Sequence, residues 1–272
     1  MTETFVIEAG RAERQYWRDL WKYRELFFFL AWRDFLIRYK QTVVGIAWAL
    51  IRPFLMMLAL TMFSKISKSP TGGAPIALFS FCGLLPWQFF STALSESGSS
   101  LVTNSNLVSK IYFPRLVVPA SSVVVGFVDF LVAAIFLVVL MFYYHFVPPA
   151  QIVFIPIFVL LIFTASLGAG FWIAALTVEY RDFRFVIPFI VQFGIFVSGV
   201  TMMTSHIPER WRLLYSINPL VGIIDGFRWC ILGGGNVIYA PGLELSLVVT
   251  FLMIFSGLWY FRKTERSFAD VI

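Results

Sequence analysis

Six runs of predominantly apolar residues, at 43–63, 76–95, 117–143, 152–178, 185–203 and 243–261, dictate what this chain can fold into. Each is close to or above the roughly 20 residues a helix needs to cross a hydrocarbon core about 30 Å thick. Backbone amides find no water in that medium, so a crossing segment must satisfy its own hydrogen bonds as a helix. Composition agrees: 59% of the residues are hydrophobic and 13% are charged, against roughly 25% charged in soluble domains. The reading is an all-α integral membrane protein of six transmembrane helices. One transmembrane domain covers 43–261, with cytoplasmic flanks at 1–42 and 262–272.

Six crossings put both termini on one side, and the basic residues say which side that is. Eight Lys or Arg precede residue 41, and Lys110, Arg115, Arg181, Arg184, Arg262, Lys263 and Arg266 fall on the same side. Lys65, Lys68, Arg210, Arg212 and Arg228 fall on the other. Both ends are therefore expected in the cytoplasm, and the net charge of +6 serves orientation and anionic lipid headgroups rather than nucleic acid. Residues 1–14 are polar and lack the apolar stretch of a signal peptide. Cys82 and Cys230 stand in no motif spacing and read as packing residues.

Ahead of the first run, Arg11, Arg14, Arg18, Lys22 and Glu25 follow helical spacing while Trp17, Leu20 and Trp21 share another side. That is the pattern of an N-terminal amphipathic helix lying in the interface. Trp32, Phe35, Leu36 and Tyr39 repeat it opposite Arg33, Asp34 and Arg38, and both stretches equally suit a surface awaiting a cytosolic partner. Between the fifth and sixth runs, the apolar pieces at 220–224 and 227–232 are too short to cross and are broken by Asn218, Pro219 and the glycines at 233–235. Short re-entrant helices within about 205–241 are expected, with a plain external loop as the alternative.

No G-x-x-x-x-G-K-[ST] string occurs, so the chain has no phosphate-cradling loop of that type with which to hydrolyse ATP. Neither an H-E-x-x-H pair nor a G-x-S-x-G elbow is present, and His145 and His206 are the two histidines. Neither an enzyme nor a metal site is expected.

Residues 26–60, LFFFLAWRDFLIRYKQTVVGIAWALIRPFLMMLAL, closely resemble the opening of polysaccharide-export ABC transporter permeases through RD, RYKQ and a G-x-x-W-A-L-x-x-P helix. NLVSKIYFPRLVVP, YRDFRFVIPF, INPLVGIIDGFR and YFRKTERSFADVI match that family in order, so the resemblance covers nearly the whole chain. It implies a half-sized permease that pairs as a homodimer and binds two copies of a separate ATPase subunit, which carries ATP and Mg; no cofactor is expected on this chain. The implied cargo is an undecaprenyl-linked polysaccharide, O-antigen first and capsule or teichoic acid next, moved out across the bacterial inner membrane. Runner-up readings are the permease of a small-molecule (drug or lipid) ABC exporter, a proton-coupled secondary transporter and a membrane-embedded glycan-lipid enzyme.

On the fifth run Phe185, Phe189, Phe193, Phe196, Val200 and Met203 recur every three or four residues, and on the first Trp48, Arg52, Leu55 and Ala59 do so. Such stripes face lipid or a neighbouring helix as readily as a conduit. The resemblance, which implies a conduit between protomers lined by these two spans, selects Trp48, Arg52, Leu55, Phe185, Phe189, Phe193, Phe196 and Met203. Arg52 lies about 14 Å into its run, where an unpaired charge is costly. Pairing with Glu96 or Asp129, meeting the carrier diphosphate and snorkelling to headgroups are all open to it. Force from the ATPase would enter through Arg33, Asp34 and Arg38, through Lys110, Tyr112, Phe113, Pro114 and Arg115, and through Arg181 and Asp182, although 179–184 equally suits a solvated turn. Phe113 reads as an aromatic knob for docking. Pro208, Trp211, Asn218, Pro219, Phe227 and Arg228 are expected at an outer gate. Ser166, Gly170 and Ala174 form a small-residue stripe suited to close helix approach.

Overall fold

The computed structural model describes residues 13–40, 47–66, 71–233, 237–265 and 268. Among them the elements in chain order are α1 (Glu13–Lys22), α2 (Arg24–Lys40), α3 (Ala47–Ile66), α4 (Ile76–Thr103), α5 (Ser105–Lys110), α6 (Val117–Tyr143), α7 (Ile155–Glu179), α8 (Phe183–Val197), α9 (Glu209–Tyr215), α10 (Pro219–Leu232) and α11 (Ala240–Thr264). Four of them, α4, α6, α7 with the 3-10 turn that leads into it, and α11, are long and apolar enough to cross a membrane. These coincide with four of the six apolar runs. The remaining two, the first and the fifth, form α3, for which residues 43–46 lie outside the described part, and the shorter α8.

α4 is the central helix: it contacts α3, α6, α7, α8 and α10, and 78% of its most apolar stretch is inside. Lipid is as apolar as leucine, so close packing rather than escape from water must hold such a bundle. The small residues supply it. A Cβ on Gly98 would stand 2.4 Å from Ile187 Cδ1, and one on Gly170 would stand 2.8 Å from Ser97 Oγ. Ser166, Gly170 and Ala174 are all buried on α7, as close approach requires. Gly257 of α11 meets Gly168 of α7 so tightly that a Cβ there would lie 2.5 Å from the Gly168 carbonyl oxygen.

Helix α1 and the last turn of α11 share one end of the bundle. The Arg262 guanidinium lies 4.6 Å from the Tyr16 ring centroid, and Arg33 of α2 donates to Asn104 Oδ1, just past α4, at 2.7 Å. Leu30, Phe113, Phe171, Phe261 and Phe268 close a second core there. The amphipathic stretch breaks at Tyr23 into α1 and α2; the calls on Arg11 lie outside the described residues.

The opposite end corrects the sequence reading in one respect. The run expected to stay helical to Met203 ends at Val197, and Gly199 takes φ +80°, which glycine adopts without a Cβ clash. The carbonyls of Gly199 and Val200 are then claimed by Arg228 of α10 instead of by a continuing helix. α10 itself begins where Asn218 Oδ1 accepts from the Leu220 amide at 3.1 Å with Pro219 in the first turn. It stops at Gly233, φ +56°.

Candidate functional site

α3, α4 and α6 line a cavity of about 460 Å³, with Arg38 and Tyr39 of α2 and Val191 of α8 also in its wall. Arg38, at the end of α2, forms ion pairs with both Glu96 and Asp129. The two carboxylates that the sequence left open to Arg52 are thus taken by Arg38, and an arginine expected to face a cytosolic partner is turned into the bundle. Arg52 lines the same cavity, with no carboxylate of the described residues within ion-pair distance. Sequence spacing could not have found Arg38, because 58 and 91 residues separate it from its partners.

Four of the expected conduit residues form one uncovered face. Phe185, Phe189, Phe193 and Phe196 are all exposed on α8, with the Phe189 and Phe193 ring centroids 4.4 Å apart. Leu55 on α3 is exposed as well. Met203 does not belong to this face: with Val200 it folds under the turn after α8 and is buried. The side chain of Trp48 lies outside the described part.

At the end shared by α1 and the last turn of α11, Arg33 and Asp34 pair with each other at 2.7 Å. Phe113 is 3% exposed and Pro114 is buried, so the knob read from sequence is a core residue; what this loop presents outward is Lys110, Ile111 and Tyr112. Arg115 is tied down by Glu265, its amide donating to Oε1 at 2.7 Å and its guanidinium to the Glu265 carbonyl. Burial raises the Glu265 carboxyl above the usual carboxylate range, opposed by that amide and by the Arg115 charge. Local spacing could not pair Glu265 with Arg115, since 150 residues separate them. Arg181 and Asp182 are exposed, between α7 and α8.

At the far end, Pro208 and Trp211 are exposed while Pro219, Phe227 and Arg228 are buried. The Arg228 guanidinium donates to the Gly199 carbonyl at 2.5 Å and to that of Val200, stacks 4.0 Å from the Phe79 ring centroid, and keeps Asp225 Oδ1 at 4.0 Å. Asp225 in turn accepts from the Thr204 amide at 3.1 Å. Asn218 donates to the Val197 carbonyl and to Ser198 Oγ at 3.2 and 3.0 Å. Sequence reasoning missed Asp225, although its i,i+3 spacing to Arg228 on a short helix was the available signal.

Comparison with known proteins bears on what this arrangement does. The sequence profile described as ABC-2 type transporter matches residues 25–232. The O-antigen export system permease protein RfbA of Myxococcus xanthus is 27% identical over 258 residues, covering 94% of this chain and 98% of its own. A Klebsiella pneumoniae protein of the same name is 25% identical over 248 residues, covering 88% and 92%.

Proposed function

The chain belongs to the ABC-2 type transporter family, as a membrane permease of its polysaccharide-export branch, and from that premise we propose that it exports O-antigen on an undecaprenyl carrier. Capsule or teichoic acid are the next cargoes in order. The observation that carries the reading is the uncovered phenylalanine face of α8, with exposed Leu55 on α3, in a chain similar over nearly its full length to O-antigen export permeases.

In this reading α3, α4, α6, α7, α8 and α11 make six crossings of the bacterial inner membrane, with both termini in the cytoplasm and α9 and α10 re-entrant in the outer half. Two copies of the chain face each other across their α3 and α8 stripes and leave the conduit between them. Aromatic rings grip sugar faces without trapping a moving polymer in one deep pocket. Two ATPase subunits hold ATP and Mg and press on the exposed Lys110, Ile111 and Tyr112 and on Arg181 and Asp182. Glu265 supports this function by holding Arg115, so that force on the loop reaches α6 and α11 together. The Asp225–Arg228 cluster holds the outer turn in place, and Trp211 with Pro208 stands at the outer gate.

Deleting the gene in its host and following lipid-linked polysaccharide tests the proposal. Polymer accumulating inside, with surface display restored by the intact gene, is the expected result. Unchanged surface polymer would overturn the polysaccharide assignment and leave the small-molecule exporter permease as the reading to pursue.

A further inference from the structure

The cavity between α3, α4 and α6 carries more polar groups than its walls satisfy. Tyr39 OH, Gln88 Oε1 and Asp129 Oδ1 are buried without a hydrogen-bond partner among the described residues, and all three residues line the cavity. A buried polar atom left unpaired costs about 1–3 kcal/mol, and natural proteins keep such atoms where something else completes the bonding. Thr92 lines the same space.

Charge divides the cavity. On the α4 and α6 side, Glu96 and Asp129 share the single guanidinium of Arg38, which leaves that side with an excess of negative charge and a free acceptor. From α3 comes Arg52, a cation with no described carboxylate within ion-pair distance. An anion is therefore drawn to Arg52 and turned away from Asp129, whereas a neutral polyol finds acceptors for its hydroxyls beside Asp129 and Gln88. A cavity of about 460 Å³ falls within the roughly 300–1,000 Å³ of small-ligand sites.

We propose that this cavity is a subsite for a phosphate-borne polyol, a sugar with its adjoining phosphate. These three atoms are covered in the free protein; with the side chains turned toward the opening, the sugar hydroxyls donate to Asp129 and Gln88 and pair with Tyr39, and the phosphate faces Arg52. The assignment rests on the glycolipid-export reading and adds to it a place within a single protomer where the head group is sorted from other anionic lipids.

The test is calorimetric titration of the full-length protein in phosphatidylcholine nanodiscs. The probes are farnesyl diphosphate bearing one glucose, bare farnesyl diphosphate, and phosphatidylglycerol as a competitor. The expected result is about tenfold tighter binding of the glucose-bearing probe, since a site built to hydrogen-bond a hydroxyl rejects the analogue without it. Gln88→Leu should erase that difference while thermal stability holds or rises, because a buried unpaired amide is lost; a purely structural Gln88 predicts no change in discrimination. Arg52→Gln should weaken both diphosphates alike. Equal affinity of the two diphosphates for the native protein, or retained discrimination in Gln88→Leu, overturns the subsite. Competition by phosphatidylglycerol at equal concentration also overturns it, since the cavity would then hold bulk lipid headgroups. Surface polymer lost on gene deletion without discrimination in nanodiscs sinks the subsite alone. Discrimination without any export phenotype supports the subsite and sinks the export reading.

Discussion

α8 and α10 are nearly equal in length, 15 and 14 residues, and opposite in placement. α8 carries four exposed phenylalanines and buries only Ile187 and Ile195, whereas α10 carries Asp225 and Arg228 and buries every residue except Trp229. In water α10, with two charges against the single Arg184 of α8, would be the exposed one. Here the exposed phenylalanines cost little against lipid, while the guanidinium stays inside because two backbone carbonyls and an aromatic ring receive it. Burial of α10 therefore marks a structural brace, and the uncovered face of α8 is the one that the proposed conduit uses.

The sharpest way to break this contrast is Arg228→Met. It strands Asp225 and the Gly199 and Val200 carbonyls, and removing one partner of a buried charge pair costs about 3–5 kcal/mol. The expected outcome is loss of monodisperse folded protein by size-exclusion chromatography and a collapsed thermal melt. Next comes Gly226→Ala, whose new Cβ would fall 1.9 Å from Phe158 Cε1. Overpacking of this kind costs about 1–3 kcal/mol, and Phe158→Leu in the same chain should recover part of the lost melting temperature. Removing the α10 cap with Asn218→Ala should cost about 1 kcal/mol, read as a small downward shift of the same melt. The smallest effect on stability belongs to α8. Phe189→Ser with Phe193→Ser should leave the melt within about 0.5 kcal/mol while export in cells drops sharply; intact export in that variant would break the functional half of the comparison.

How much was legible in advance differs by element. The runs that became α4, α6, α7 and α11 could be read from length and apolarity alone, because a bilayer admits few other solutions for such segments. The small stripe at Ser166, Gly170 and Ala174 was legible for a similar reason: helices approach closely only where side chains are small. The α8 stripe was half legible, since 3.6-residue periodicity aligned Phe185 to Phe196 but could not announce that Gly199 would turn the chain and carry Val200 and Met203 inside. Phe113 misled because a Phe-Pro-Arg loop next to a span reads the same whether its ring meets a partner or the chain's own C-terminal segment.

Consecutive residues alone made this chain a helical membrane protein, because hydrocarbon thickness and backbone hydrogen bonding act on each segment locally and leave their record there. It took the folded chain to show that Arg38 rather than Arg52 holds Glu96 and Asp129, that Glu265 clamps Arg115, and that Arg228 is sealed against the turn that follows α8. Each of these joins groups far apart in the chain, and the energy of a charge depends on which neighbours packing brings within a few ångströms, a quantity no local pattern encodes.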